Sequence, residues 1–292
     1  MKKILILMAT HNGKKFIERQ LESILTQKNV DLKILISDDC STDNTLNLID
    51  KHVVNKKITL IKNKKKFGSA ALNFFNLIEH APIDDFDYIS FSDQDDIWLE
   101  DKLSSAVSKL EELEYDGYSS DVMAFWDNDN NRKLIKKSYP QKEHDHWFES
   151  PGPGCSQVVS TKSFKLFQEF LRENKKHLGN IQYHDWLIYA FYRHNNLRWV
   201  ISNEPKILYR QHANNVIGAN YDIKSKLARL TMIMNDWYKK QIIYIYELVT
   251  KRKFHQFIKT EKLLFKPFSL RRKKVYSLAI WLLVFFGMFR NE

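Results

Sequence analysis

Asp93, Asp95 and Asp96 put three carboxylates within four residues, directly after the apolar run Tyr88-Ile89-Ser90-Phe91. Like charges this close repel and raise one another's pKa unless something positive sits among them. A hard divalent cation is the usual partner, and Mg²⁺ commonly binds through one or two carboxylates plus substrate phosphates. Asp93 and Asp95 are separated by one residue, so in an extended segment both point to the same side and converge on one ion. A cation there would clamp a pyrophosphate and neutralise the charge on a departing nucleoside diphosphate. The plain alternative is a solvated acidic turn. Against it stands a second acidic cluster, Asp38-Asp39-Cys40-Ser41-Thr42-Asp43, which also follows an apolar run. From that neighbouring strand end Asp38 or Asp39 is placed to hydrogen-bond a base or ribose, as are Thr10 and Asn12 from the first strand end. No GxGxxG follows the first apolar run and no GxxxxGK[ST] occurs, so dinucleotide and P-loop readings lack their backbone cradle.

The elements that must carry these residues alternate. Ile4–Ala9, Leu32–Ile36, Ile58–Ile61 and Tyr88–Phe91 read as buried strands. Helical spacing is expected over Lys15–Thr26, after Asp43 as N-cap, and from Ala70 to about His80. A β-α-β-α-β-α-β order predicts an α/β fold with an open, mainly parallel, doubly wound sheet. Ligands in such sheets bind outside the carboxyl ends of the strands, where all the polar clusters lie. Further on, Lys102–Leu113, Thr161–Asn174 and His184–His194 read as helices, and Val122–Trp126 and Leu197–Ile201 as strands. Asp127–Asn131 reads as a turn, and Pro151–Cys155 as a rigid loop with close backbone approach at its glycines.

Hydrophobic content of 43% and 28% charged residues suit a folded soluble protein. Two cysteines, Cys40 and Cys155, make no disulfide framework, and a reducing compartment is expected. Met1-Lys2-Lys3 and the apolar run after it imitate a signal peptide, but the run is short and a first strand is the better reading. The formal charge of +11 is lopsided: residues 221–292 carry sixteen Lys and Arg against five Asp and Glu, whereas residues 1–220 carry thirty of each. We therefore divide the chain into a neutral body, 1–220, and a basic helical extension, 221–292. Val275–Phe289 is mostly apolar but shorter than the ~20 residues of a spanning helix. Beside Arg271-Arg272-Lys273-Lys274 it suits a segment lying on an anionic membrane surface; docking onto the body is the alternative. Nucleic acid is the less suitable partner, because the basic residues flank continuous apolar stretches.

The motifs together resemble inverting glycosyltransferases of family 2, with the GT-A fold. The resemblance rests on Ala9-Thr10-His11-Asn12-Gly13, Ser37-Asp38-Asp39-Cys40-Ser41-Thr42-Asp43-Asn44-Thr45 and Ser92-Asp93-Gln94-Asp95-Asp96-Ile97-Trp98. It continues through Pro153-Gly154-Cys155, His184-Asp185-Trp186 and Tyr209-Arg210-Gln211-His212 with Asn214-Asn215-Val216-Ile217-Gly218. Six motifs in family order span about residues 3–220, and several are similar to the rhamnosyltransferase-like branch that builds bacterial surface polysaccharides.

The resemblance implies roles. Thr10, His11, Asn12, Asp38, Asp39, Gly68 and Asp93 would hold the nucleotide. Asp95, with Asp93 and His212, would hold Mg²⁺ or Mn²⁺, and Arg210 and His212 would meet the diphosphate. Asp185 would be the base that deprotonates an acceptor hydroxyl for attack with inversion, a task that needs a carboxylate within reach of that proton. Gly154, Cys155, His184 and Trp186 would line the acceptor site. The donor leans towards dTDP-L-rhamnose, with UDP-linked galactose or N-acetylhexosamine open, and the acceptor would be a lipid-linked saccharide at the inner face of the cell membrane. Two departures stand out: His11 replaces the usual Tyr, and Cys40 replaces the usual Gly, which strains the backbone if φ is positive there.

Overall fold

A computed structural model describes residues 1–53, 56–127, 129–212, 236–287 and 289. The first half alternates as expected: β1 (Lys2–Thr10), α1 (Ile17–Leu25), β2 (Val30–Asp38), α2 (Thr45–Val53), β3 (Ile58–Lys62), α3 (Ala70–His80) and β4 (Tyr88–Ser92). There follow β5 (Ile97–Trp98), α4 (Lys102–Glu112), β6 (Gly117–Ser120), β7 (Val122–Trp126), β8 (Asp129–Ile135) and α5 (Asp145–Phe148). The body ends with β9 (Val158–Ser160), α6 (Thr161–Glu173), α7 (His184–His194), β10 (Trp199–Ser202) and β11 (Ile207–Arg210). Helices Asp236–Thr250, Phe254–Thr260 and Lys274–Phe285 complete the described chain.

The main sheet has the order β10-β6-β9-β4-β1-β2-β3. Strands β4, β1, β2 and β3 are parallel, but β9 is antiparallel to both β4 and β6. The sheet is therefore mixed, where the alternation alone predicts a mainly parallel one. The three residues of β9 and the Gly-Tyr-Ser-Ser of β6 offer no apolar run to read. A second sheet, β5-β11-β7-β8, stands beside the first. Its β8 begins at Asp129, so the Asp127–Asn131 run is a turn only at its start and a strand beyond. The Asn214–Gly218 motif and the helical reading from 223 to 235 lie outside the described residues.

Both faces of the sheet are covered, which explains the near-continuous apolar strands. Leu5, Leu7 and Ala9 enter one core with α3, α6 and α7, while Ile4, Ile6 and Met8 enter the other with α1 and α4. Register then aligns the strand ends: Thr10 pairs with Asp38, and Met8 with Ser92. The polar clusters are thereby delivered to one edge.

The C-terminal helices dock on the body by one face only. Leu270, Ile280 and Val284 are buried in the same core as α3 and α7, each contributing on the order of 1.5–3 kcal/mol. Val275, Leu278, Leu282, Phe285 and Phe286 remain exposed on the other side, as do Phe265 and Phe268. Among the described residues no helix is long and apolar enough to cross a membrane.

Candidate functional site

Strand β4 is buried along its length and opens at its carboxyl end into the acidic loop. Burial, then the charges of Asp95 and Asp185, push Asp93 up to about 7. Asp95 Oδ2 lies 2.8 Å from His212 Nε2. Asp96, only 1% exposed, accepts the Arg210 backbone N–H at 3.1 Å, and burial drives it well up. Ligand atoms of Asp93, Asp96 and Cys155 lie within 4.8 Å of one another, and Asp96 Oδ2 has no hydrogen-bond partner. Crowded, partly desolvated carboxylate oxygens fit a hard cation. Cys155 does not fit as a ligand: it is fully buried, and burial and Asp96 raise its thiol so that it stays protonated. It packs beneath the loop and lines no acceptor pocket.

Arg210 departs from the expected open phosphate contact. Its guanidinium pairs with Asp127, donates from Nε to the Asp95 carbonyl at 2.7 Å, and lies 4.6 Å from the ring centres of both Phe16 and Phe125. Held at 2% exposure between two rings, it braces the acidic loop from below. Lys102 is buried beneath the same loop, donating to Ser90 Oγ at 2.8 Å over the Trp98 ring, and burial lowers it to about 7.

The loops expected to meet the nucleotide are tied together by their own side chains. Asp38 accepts from the Thr10 hydroxyl at 3.0 Å and from the Ser41 N–H at 2.8 Å. Asp39 accepts the backbone N–H groups of Phe67 and Gly68, so it fixes the basic loop after β3. The Asn12 side-chain oxygen accepts the Thr42 N–H at 2.8 Å. Thr10, Asp38 and Asp39 are thus buried and satisfied, and they shape those loops. Gly68 needs its φ of +79°, which an L side chain rarely adopts. Cys40 indeed takes a positive φ, +54°.

Gln94, which the spacing of the carboxylates hides, joins the two loops: its Oε1 accepts the His11 N–H at 2.9 Å and its Nε2 donates to the His11 carbonyl at 3.0 Å. A Cβ on Gly13 would lie 2.3 Å from that Oε1, so the glycine admits the clasp.

Asp185 sits in the first turn of α7, half-buried. Burial raises it to about 6, against the Trp186 N–H, the Lys137 charge and the Ser150 side chain, which lower it. A carboxyl near 6 is poised to accept a proton at neutral pH. The charge of Asp185 reaches Asp93, so the two carboxyls belong to one electrostatic neighbourhood. His184 stacks on Phe74 at 3.8 Å, and burial lowers it to about 3, so it is neutral. A Cβ on Gly154 would meet its Nε2 at 2.5 Å, which explains that glycine. Trp186 departs from the acceptor role. One residue on from Asp185, it points round the helix into the core, stacks on Tyr238 and donates to the His146 carbonyl at 2.9 Å.

Sequence reading also missed the support behind Asp185. Asp145 accepts from Tyr189 at 2.9 Å and pairs with Arg193 at 3.1 Å, both on α7, and with Arg272 at 2.8 Å. Glu149 pairs with Arg271 at 3.3 Å and Arg272 at 3.4 Å. Only the Arg271-Arg272 doublet was visible in the sequence, as positive charge without an address. A second acidic group, Glu143, His144 and Glu261, is bridged by Lys266.

Known proteins are similar to this chain in sequence and in fold. The chain is 39% identical over 290 residues to the dTDP-rhamnosyl transferase RfbG of Shigella flexneri, covering 97% of this chain and all of that protein. It is 34% identical over 111 residues to WfaP of Escherichia coli, a UDP-Glc:alpha-D-GlcNAc-diphosphoundecaprenol beta-1,3-glucosyltransferase, covering 38% of this chain and 42% of that one. Among solved structures, S. aureus TarS 1-349 in complex with UDP superposes with a TM-score of 0.58 at 16% identity, covering 92% of this chain and 73% of that one, a likeness of fold. The Glycosyl transferase family 2 profile matches residues 5–171, so this chain belongs to that family and is a glycosyltransferase.

Proposed function

We propose that the protein moves L-rhamnose from dTDP-L-rhamnose, with inversion, onto a hydroxyl of a lipid-linked saccharide during bacterial surface-polysaccharide synthesis. The observation that carries the mechanism is Asp185, a half-buried carboxyl near 6 in the first turn of α7 whose charge reaches Asp93. The donor rests on the full-length similarity to the dTDP-rhamnosyl transferase.

In this reading Asp185 takes the acceptor proton as the hydroxyl attacks the anomeric carbon from the face opposite the leaving group. Asp95 with Asp93 would hold Mg²⁺ or Mn²⁺, and His212 would orient Asp95 or join it as a ligand. When bound, that cation offsets the charge of the departing diphosphate. Thr10, His11, Asn12, Asp38, Asp39 and Gly68 form the nucleoside wall, and Gly154 and His184 border the acceptor. The body, 1–220, carries these groups. The extension, 221–292, adds a peripheral contact with the anionic inner face of the cell membrane, through the exposed Phe265 and Phe286, 82% and 74% exposed, and the lysines around them.

Thermal shift and donor hydrolysis against a panel of nucleotide sugars, each with Mg²⁺ and Mn²⁺, test the donor. dTDP-L-rhamnose should raise Tm and be hydrolysed. Stabilisation by UDP-sugars alone would overturn the choice of donor and leave the glycosyl transfer standing.

A further inference from the structure

Three cations crowd the acceptor side of Asp185. Arg271 and Arg272 arrive from the C-terminal segment, and Lys137 from the stretch after β8. The backbone N–H groups of Lys137 and Ser138 are pinned to the buried Asp121 Oδ1 at 2.6 and 2.8 Å, which fixes where Lys137 stands. The Lys273 ammonium lies 4.9 Å from the Tyr139 ring centre, so the stretch that carries Lys137 abuts the one that carries Arg271, and the charges of Arg272, Glu149, Arg271 and Asp185 all reach Lys137.

Their pairing is uneven. Arg272 is spent on Asp145, Glu149 and the Ser150 carbonyl. Arg271 shares Glu149 and lies 5.9 and 5.5 Å from the Tyr238 and Tyr276 ring centres, and its buried Nε has no hydrogen-bond partner. The Lys137 ammonium has no hydrogen bond or ion pair among the described residues, although it is half-buried. Burial and the two guanidinium groups accordingly lower it to about 8. Holding like charges together this way is costly unless an anion comes to them.

We propose that Lys137 and Arg271 form a diphosphate-binding subsite on the acceptor side of Asp185, separate from the Asp93–Asp95 edge that faces the donor. Its ligand is the diphosphate that joins an acceptor saccharide to its lipid. Charge-assisted bonds from an ammonium and a guanidinium suit phosphate oxygens. Seated there, the diphosphate would set how far along the saccharide the attacked hydroxyl lies from the base. The inference deepens the proposed function and rests on it for the identity of the acceptor.

Binding of inorganic pyrophosphate, farnesyl diphosphate and farnesol to the full chain is the test, measured by calorimetry with EDTA present so that no metal recruits diphosphate to the acidic edge. Wild type should bind both diphosphates and not farnesol. Tighter binding of farnesyl diphosphate than of pyrophosphate would mark the lipid-linked form as the ligand. Lys137→Met should weaken both at least tenfold, Lys137→Arg should restore most of it, and dTDP binding with Mn²⁺ should stay within twofold in all three proteins. Absence of pyrophosphate binding in wild type, or equal binding by Lys137→Met, overturns the subsite. A loss confined to dTDP with Mn²⁺ also overturns it, because Lys137 would then serve the donor. Failure of dTDP to bind wild type at all would instead strike the donor assignment, and the EDTA measurement would still decide the subsite.

Discussion

Arg272 Nη1 stands 2.8 Å from Asp145 Oδ2 across 127 residues of chain, and this pair fastens the C-terminal segment to α5 and, through Asp145, to the helix that carries Asp185. Tyr189 and Arg193 of α7 meet the same carboxylate, so three side chains converge on one buried anion. Arg272→Met leaves Asp145 with Arg193 as its one cation and the Tyr189 hydroxyl beside it. Removing one partner of a buried pair typically costs about 3–5 kcal/mol, and the surviving Arg193 favours the lower end. Urea unfolding should show that loss, together with a fall in transfer larger than the fall in nucleotide binding. A variant as stable as wild type would mean that the segment merely rests on the body.

The exposed face of the same segment should behave oppositely. Phe265→Ser combined with Phe286→Ser removes no buried contact and should leave Tm within a degree or so, since exposed substitutions usually change stability by less than about 0.5 kcal/mol. Co-sedimentation with phosphatidylglycerol vesicles should fall several-fold at low salt. Deleting 267–292 would be a poorer experiment, because it also removes Arg272. Undiminished sedimentation of the double variant would show that this face does not meet lipid.

Asp185 ties rate and stability to pH with opposite signs. Transfer needs its carboxylate, and its pKa is raised to about 6, so the rate should fall as pH drops through about 6. For stability, a folded pKa above the unfolded value near 3.9 means that the folded state resists ionisation. The cost is absent below about pH 4 and complete above about pH 6. Asp185→Asn should therefore abolish transfer, leave nucleotide binding nearly intact, and raise stability at pH 7.5 by roughly 1–3 kcal/mol. Transfer near the wild-type rate would remove Asp185 from the role of base.

How much of this was legible follows from what carries each signal. Strands β1, β2 and β4 carry buried apolar runs, and helices such as α3 show periodicity, so the parallel half of the sheet and its edge could be read directly. Antiparallel β9 has three residues and draws its stability from two neighbours, Ile89 and Tyr118 among the residues facing it, which no local pattern announces. The acidic motifs revealed which residues meet, but not their division of labour. Asp38 and Asp39 look equivalent to Asp93 in sequence, yet register turns the first two onto Thr10 and the Phe67–Gly68 backbone. Arg210 looks like a phosphate ligand until Phe16 and Phe125 close over it. Asp145 and Arg272 were beyond reach, since a pair 127 residues apart exists only once the chain has folded.

The acidic edge predicts a graded response to substitution of Asp95 and His212. Asp95→Ala should abolish metal-dependent turnover. His212→Ala removes the group 2.8 Å from Asp95 Oδ2, and loss of an orienting partner typically costs 10–100-fold in metal affinity. Mn²⁺ titration of dTDP binding should show that order, with His212→Ala recoverable at high Mn²⁺ and Asp95→Ala not. If His212→Ala left the titration unchanged, the contact would be incidental to metal binding.

Cys40 offers a test of backbone strain beside the nucleotide wall. Its φ is +54°, a conformation that costs a residue with a Cβ roughly 1–2 kcal/mol. The position is held by the turn around it: Asp39 N–H donates to the Thr10 carbonyl at 2.8 Å, and Ser41 N–H to Asp38 Oδ2 at 2.8 Å. Cys40→Gly relieves the strain but adds chain entropy to the unfolded state, about 0.5–1 kcal/mol, and loses the Sγ contact to the Asn63 carbonyl at 3.3 Å. The net should be a small stabilisation, at most about 1 kcal/mol. Cys40→Val keeps the φ requirement and adds a branched Cβ, so it should destabilise by more than about 1 kcal/mol. Thermal melts of the two variants should thus straddle wild type. If valine proved as stable as glycine, the turn would be flexible enough to leave the positive φ, and the wall it supports would not be preorganised.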